Sequence, residues 1–96
     1  MSWNITSDNH LELTGNTYCV DIAGRNYKKD ASVILYWINN PTSDNQIWIL
    51  EKINDFFFIR SAGDQSFALT LRYDGKTITI DKFNANDDKQ KWKLTY

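Results

Sequence analysis

The sequence predicts an all-β domain built from two copies of one four-strand unit, and three observations support that prediction. Apolar residues alternate or run in short blocks bounded by Asn, Asp, Gly and Ser, the pattern of strands joined by turns. No stretch carries the apolar period of about 3.6 residues that marks an amphipathic helix. The order of strands and turns then repeats, each copy closing in Gln-x-Trp, at Gln46-Ile47-Trp48 and at Gln90-Lys91-Trp92.

The first unit, about residues 3–47, opens with a strand at Trp3–Thr6 and turns at Ser7-Asp8-Asn9. Strands follow at Leu11–Leu13 and Cys19–Ile22, then a Gly24-Arg25-Asn26 turn and the β-branched and aromatic run Val33–Trp37. A polar loop leads from there to Gln46. The second unit, about residues 48–92, repeats the order: Trp48–Lys52, a turn at Asn54-Asp55, Phe56–Arg60, Ala68–Leu71 and Thr77–Ile80. A last strand is expected at Trp92–Thr95. Asp74-Gly75 is the strongest hairpin signal, because Asp-Gly suits a type I′ turn. Many short strands spaced by turns indicate a barrel or sandwich.

With 96 residues the chain is expected to be one small domain, residues 1–96, and its 15% aromatic content supplies the large buried areas a small core needs. A net charge of -1 and a pI near 5.7 argue against nucleic acid or an acidic membrane surface as the main partner. Lys28-Lys29 and Lys89-Lys91-Lys93 each sit beside Asp and read as solvated faces. Cys19 is the only cysteine, so no intramolecular disulfide can form. The opening Met1-Ser2-Trp3-Asn4 lacks the basic and apolar regions of a signal peptide, and no apolar run reaches membrane-spanning length. The expected location is cytoplasmic, or outside the cell by export without a cleaved signal.

The two Gln-x-Trp units resemble the ricin-type β-trefoil lectins, whose repeats of about forty residues close in the same triplet. The resemblance runs from Trp3 to Trp92. It is closest between Cys19 and Trp48, where Cys19-Val20-Asp21-Ile22, Val33-Ile34-Leu35-Tyr36 and Asn45-Gln46-Ile47-Trp48 fall in family order. The resemblance implies that Trp3, Trp48 and Trp92 are core residues and that each Gln braces a neighbouring loop. A complete trefoil has three such units and this chain has two. Two units alone leave apolar side chains and strand edges uncovered. The uncovered side could be closed by association of copies, by further chain, or by another closure of the two units; self-association is the favoured expectation. The family often pairs a cysteine at position 19 with one near position 38. Here that place is Ile38, so Cys19 is expected to be a small buried hydrophobe.

The resemblance also assigns a sugar site in the first unit. Asp21 matches the carboxylate that accepts hydrogen bonds from two adjacent ring hydroxyls, and Tyr36 the stacking aromatic, with Trp37 the alternative if the register is one off. Asn45 matches the amide that contacts a hydroxyl, and Gln46 the residue that orients the aspartate. The chemistry of the residues agrees: a carboxylate suits a vicinal hydroxyl pair, and an aromatic face suits the C–H side of a sugar ring. Galactose or N-acetylgalactosamine is the expected ligand. The competing reading of Asp21 is a turn cap, and that of Tyr36 a core or rim aromatic. In the second unit Thr70 stands for Asp21 and Asp81 for Tyr36, so that site is expected to be dead or altered. A single site per chain would gain avidity from repeated copies.

Enzyme activity, metal and cofactor are not expected. His10 is the only histidine and reads as an exposed strand or turn residue, with no triad or Cys/His metal cluster around it. Asp44, Asp87 and Asp88 read as matching loop positions before Gln-x-Trp rather than a glycosidase pair or calcium site. Phe56-Phe57-Phe58-Ile59 reads as core or as a subunit contact. The runner-up function is a non-enzymatic trefoil module that binds or inhibits a protein and has no sugar site.

Overall fold

The structure, a computed structural model, describes residues 3–13, 18–39, 41–72 and 74–93. The first unit holds β1 (Trp3–Ile5), β2 (Leu11–Leu13), β3 (Tyr18–Ile22) and β4 (Ala31–Trp37). The second holds β5 (Trp48–Ile53), β6 (Phe56–Ser61), β7 (Phe67–Leu71) and β8 (Ile78–Lys82). These match the expected strands closely. Of the expected strand at Trp92–Thr95, Trp92 forms a β-bridge, and the last two residues lie outside the described ones. Short 3-10 turns at Ala23–Arg25, Asp44–Gln46 and Asp88–Gln90 were not expected from the sequence.

All eight strands join one sheet in the order β1-β2-β3-β4-β8-β7-β6-β5. The long antiparallel registers are β3 on β4, from Tyr18↔Trp37 to Ile22↔Val33, and β5 on β6, from Trp48↔Ser61 to Ile53↔Phe56. The bridge His10↔Ile47 ties the first unit to the start of β5, and Phe57↔Trp92 repeats that tie one unit later. The Trp48 amide donates to the Asn9 carbonyl and the Trp92 amide to the Phe57 carbonyl, each at 2.9 Å. Those bonds make Asn9 the counterpart of Phe57, so that His10 corresponds to Phe58 and Leu11 to Ile59. The two units meet where β4 pairs with β8, at Ala31↔Ile80 and Ser32↔Thr79.

Strand alternation sends one face of each strand inward. Val20, Ile22, Trp48, Ile59, Leu69 and Ile80 form the centre of the core. Each Gln-x-Trp tryptophan is pinned by its ring nitrogen: Trp48 Nε1 donates to the Val20 carbonyl at 3.1 Å, and Trp92 Nε1 to the Leu69 carbonyl at 3.2 Å. Trp48 is fully buried while Trp92 is only half-buried; the side chain of Trp3 lies outside the described residues. Cys19 is a free, buried thiol whose pKa burial pushes up to about 11.

Two expectations are corrected, those for His10 and for Asp74-Gly75. His10 is 1% exposed rather than solvent-facing, because it occupies the inward position that Phe58 fills in the second unit. Its Nδ1 lies 3.1 Å from the Asp8 carboxylate, which supplies a polar partner at the barrel edge. Asp74-Gly75 does not form the two-residue hairpin in which a type I′ turn is expected. Here the Arg72 amide donates to the Thr77 carbonyl at 2.8 Å, so the loop is wider than two residues; Gly75 has φ 71°, and the Asp74 carboxylate accepts from the amides of Lys76 and Thr77 and from the Thr77 hydroxyl. The two-residue hairpin is at Asn54-Asp55 instead, with Asn54 at φ 56°. Phe56 and Phe57 do not form an open apolar patch: Lys91 and Lys93 lie over the Phe56 ring, and Lys52 over Phe57. Phe58 is buried edge-on against Phe83. The large exposed apolar side chains are elsewhere, at Ile34, Leu35, Tyr36 and Trp37 of β4 and Ile78 of β8.

Candidate functional site

β3 carries Asp21 between two core residues, Val20 and Ile22, on the opposite face from both. The 3-10 turn Asp44–Gln46 then brings two side-chain amides onto its carboxylate. Asn45 Nδ2 donates to Asp21 Oδ1 at 3.1 Å, and Gln46 Nε2 donates to Asp21 Oδ2 at 2.9 Å. Asp21 therefore accepts from side chains across the loop and does not act as a turn cap. Burial pushes its carboxyl above the usual carboxylate range, and the two amide donors, Gln46 first, pull it partly back. An ionised carboxylate oxygen has about two lone-pair sites, so one amide on each leaves capacity for a further donor.

Gln46 does more than orient the aspartate. Its Nε2 also donates to the Trp37 carbonyl at 2.8 Å, and its Oε1 accepts from the Asn39 amide at 2.9 Å. The fully buried side chain thus clamps the end of β4 to the loop that follows it. Asn45 Nδ2 likewise reaches the Ile22 carbonyl at 3.1 Å. The Asn45 side-chain oxygen is buried and has no hydrogen-bond partner, an unfilled acceptor beside the carboxylate.

The register of β3 on β4 separates the two aromatic candidates. Tyr36 pairs with Cys19 and Ile34 with Asp21, so Tyr36 shares the Asp21 face, one diagonal step away. Tyr36 is 49% exposed. Trp37 pairs with Tyr18 on the other face, where the two rings lie 4.4 Å apart between centroids. Asp21, Asn45, Gln46 and Tyr36 are brought together on one face; Trp37 contributes only its backbone carbonyl.

The second unit rebuilds the frame with other chemistry. Gln90 Nε2 donates to the Lys82 carbonyl at 2.8 Å, and its Oε1 accepts from the Asn84 amide at 2.9 Å. Where Gln46 meets a carboxylate, Gln90 meets the Thr70 hydroxyl at 3.3 Å. Asp81 takes the place of Tyr36 and Lys89 that of Asn45. The result is a polar pocket of about 290 Å³ bordered by Thr70, Asp81 and Lys89, beside the Arg72–Asp30 ion pair at 2.8 Å. The sequence pointed to the Gln-x-Trp pairs but not to their backbone partners at Trp37, Asn39, Lys82 and Asn84, which carry no side-chain signal. Among the described residues no group of three or more His, Cys, Asp or Glu is placed to hold a metal ion.

No family model matches the chain, and no curated protein sequence matches it. Among solved structures it is similar to a designed 3-fold symmetric protein, ThreeFoil, with a TM-score of 0.81 and 17% identity, over 98% of this chain and 71% of that one. Strand order, the two pinned tryptophans and this structural likeness agree on the architecture: the chain is all-β and has the β-trefoil fold, with two units laid out as in a three-fold arrangement.

Proposed function

We propose that the chain is a ricin-type carbohydrate-binding module that holds galactose or N-acetylgalactosamine non-covalently in its first unit. The observation that carries this reading is the pairing of the amide-held Asp21 carboxylate with the unpartnered Asn45 oxygen, on the face where Tyr36 is exposed. Two adjacent sugar hydroxyls are donors that match the carboxylate oxygens and the free amide oxygen, and the Tyr36 ring offers a flat surface to the C–H face. Gln46 holds the carboxylate in place and keeps its role in the fold.

The test is titration with galactose and with lactose by NMR or calorimetry, beside a Tyr36→Ala variant. Tyr36 is exposed, so its truncation leaves the fold in place; loss of a ring contact of about 1 kcal/mol weakens binding roughly five- to tenfold. Chemical-shift changes centred on Asp21, Asn45 and Tyr36, reduced in the variant, support the reading. A folded sample with no response to either sugar or to a glycan panel refutes it. That result would favour a module that binds protein, a reading suggested by the exposed apolar run of β4.

A further inference from the structure

Taking the sugar reading above as its basis, we infer that the first-unit site prefers a 2-acetamido sugar, N-acetylgalactosamine, over galactose, and that Ile34 sets this preference. Ile34 pairs directly with Asp21 across β3 and β4, so both side chains stand on one face of the sheet with Cβ atoms about 5 Å apart. Ile34 is 40% exposed, and Tyr36, two residues along on the same face, is 49% exposed. The carboxylate is therefore bordered by two open side chains of β4, where a sugar ring needs only one to stack on.

The amide donors give the carboxylate two distinct ends. Gln46 Nε2 joins Asp21 Oδ2 to the Trp37 carbonyl, so Oδ2 lies toward the Tyr36 end of β4. Asn45 Nδ2 joins Oδ1 to the carbonyl of Ile22, which pairs with Val33, so Oδ1 lies toward the opposite end. The unpartnered Asn45 oxygen belongs to that same amide. On the side away from Tyr36, the site thus holds one idle acceptor and one open apolar side chain.

A galactose-type ring fits these ends in one sense. Its axial 4-hydroxyl leaves C–H groups from C3 to C6 on one face, so the C5–C6 end lies on Tyr36. The 4- and 3-hydroxyls then reach Oδ2 and Oδ1 in turn, and the substituent on C2 falls at the end of Asn45 and Ile34. A 2-hydroxyl can donate to the Asn45 oxygen, and so can the N–H of a 2-acetamido group. Only the acetamido group also brings a methyl, which Ile34 takes out of water. The second unit has Thr79 in place of Ile34 and Asp81 in place of Tyr36, so the open pair belongs to the unit that carries the carboxylate.

Titration with N-acetylgalactosamine and with galactose, by NMR or calorimetry, tests this in the wild-type chain and in an Ile34→Thr variant. Ile34 is exposed and Thr keeps a β-branched side chain, so the circular dichroism of the variant should match wild type. The expected result is N-acetylgalactosamine bound at least about fourfold tighter than galactose, the worth of one methyl group taken out of water. The variant should lose that advantage and bind galactose as wild type does. Equal or weaker binding of N-acetylgalactosamine, or a preference that survives Ile34→Thr, overturns the inference and leaves the sugar reading standing. Binding of neither sugar by the folded chain refutes the sugar reading itself, and the preference falls with it.

Discussion

Replacing Gln46 with Ala removes more stability than replacing Gln90 with Ala, and the difference depends on pH. Both glutamines are fully buried, so the cavity left behind is of similar size and cancels in the comparison. Both lose a bond to a strand-end carbonyl and one from a loop amide, at nearly equal lengths. Gln46 additionally loses a 2.9 Å bond to the Asp21 carboxylate, where Gln90 loses a 3.3 Å contact to a neutral hydroxyl. With hydrogen bonds to charged groups at about 1.5–3 kcal/mol and neutral ones near 1 kcal/mol, the expected hydrogen-bond losses are about 3–5 kcal/mol for Gln46→Ala and about 2–3 for Gln90→Ala. Burial raises the folded carboxyl of Asp21 above its ordinary value, so ionisation of this group lowers stability as pH rises through that range. Losing the Gln46 donor raises it further, which steepens that fall. The gap between the two variants is therefore expected to be about 1–2 kcal/mol at neutral pH and to shrink at acid pH, where Asp21 takes up a proton. Urea unfolding followed by circular dichroism at both pH values measures it. Equal losses at neutral pH, or a gap that does not change with pH, would refute the reasoning.

Three further predictions concern the loops. The Asp74 carboxyl is held down to about 2, first by the Thr77 amide, then by the Lys76 amide and the Thr77 hydroxyl. Its contribution is present above the unfolded value and lost as pH falls toward about 2, so Asp74→Ala should flatten the acid limb of a thermal-melt series between about pH 4 and pH 2. Gly63→Ala should destabilise the protein by about 1–3 kcal/mol, because its new methyl overlaps the hydroxyl and ring of Tyr27, a side chain packed against the core. Tyr27→Phe on its own should be neutral or stabilising by chemical denaturation, because the buried Tyr27 hydroxyl has no partner to lose.

The strands were legible because each one writes its alternation locally, and the Gln-x-Trp triplets marked where the units end. What was not legible depended on pairing between distant segments. His10 follows Ser7-Asp8-Asn9 and looks like part of a turn; only the bond from the Trp48 amide to Asn9 shows that the next residue points inward. Tyr36 and Trp37 differ by one step of register, and the Cys19↔Tyr36 pairing puts Tyr36, not Trp37, on the Asp21 face. The run Val33–Trp37 reads as a core strand, and its exposure comes from the register: β8 pairs with β4 only at Ala31 and Ser32, and among the described residues no second strand pairs with β4 beyond them. The Asp74-Gly75 pair carries the right residues for a type I′ turn, yet the carboxylate's three hydrogen bonds favour a wider loop.

The second unit also bears on what Asp21 is for. It folds on the same clamp, with the same strand-end carbonyl and loop amide held by Gln90, and it does so with Thr70 at the place of the carboxylate. A hydroxyl is therefore enough to receive the glutamine. The first unit instead buries a carboxylate to 4% exposure, and the desolvation that raises its carboxyl is a cost the shared architecture does not require. Nor is its partner Asn45 fully used, since the amide oxygen on the same side is left without a donor. A costly charge and an idle acceptor, placed together in one unit and absent from its copy, are poorly explained by folding. Donors supplied by bound sugar hydroxyls would account for both.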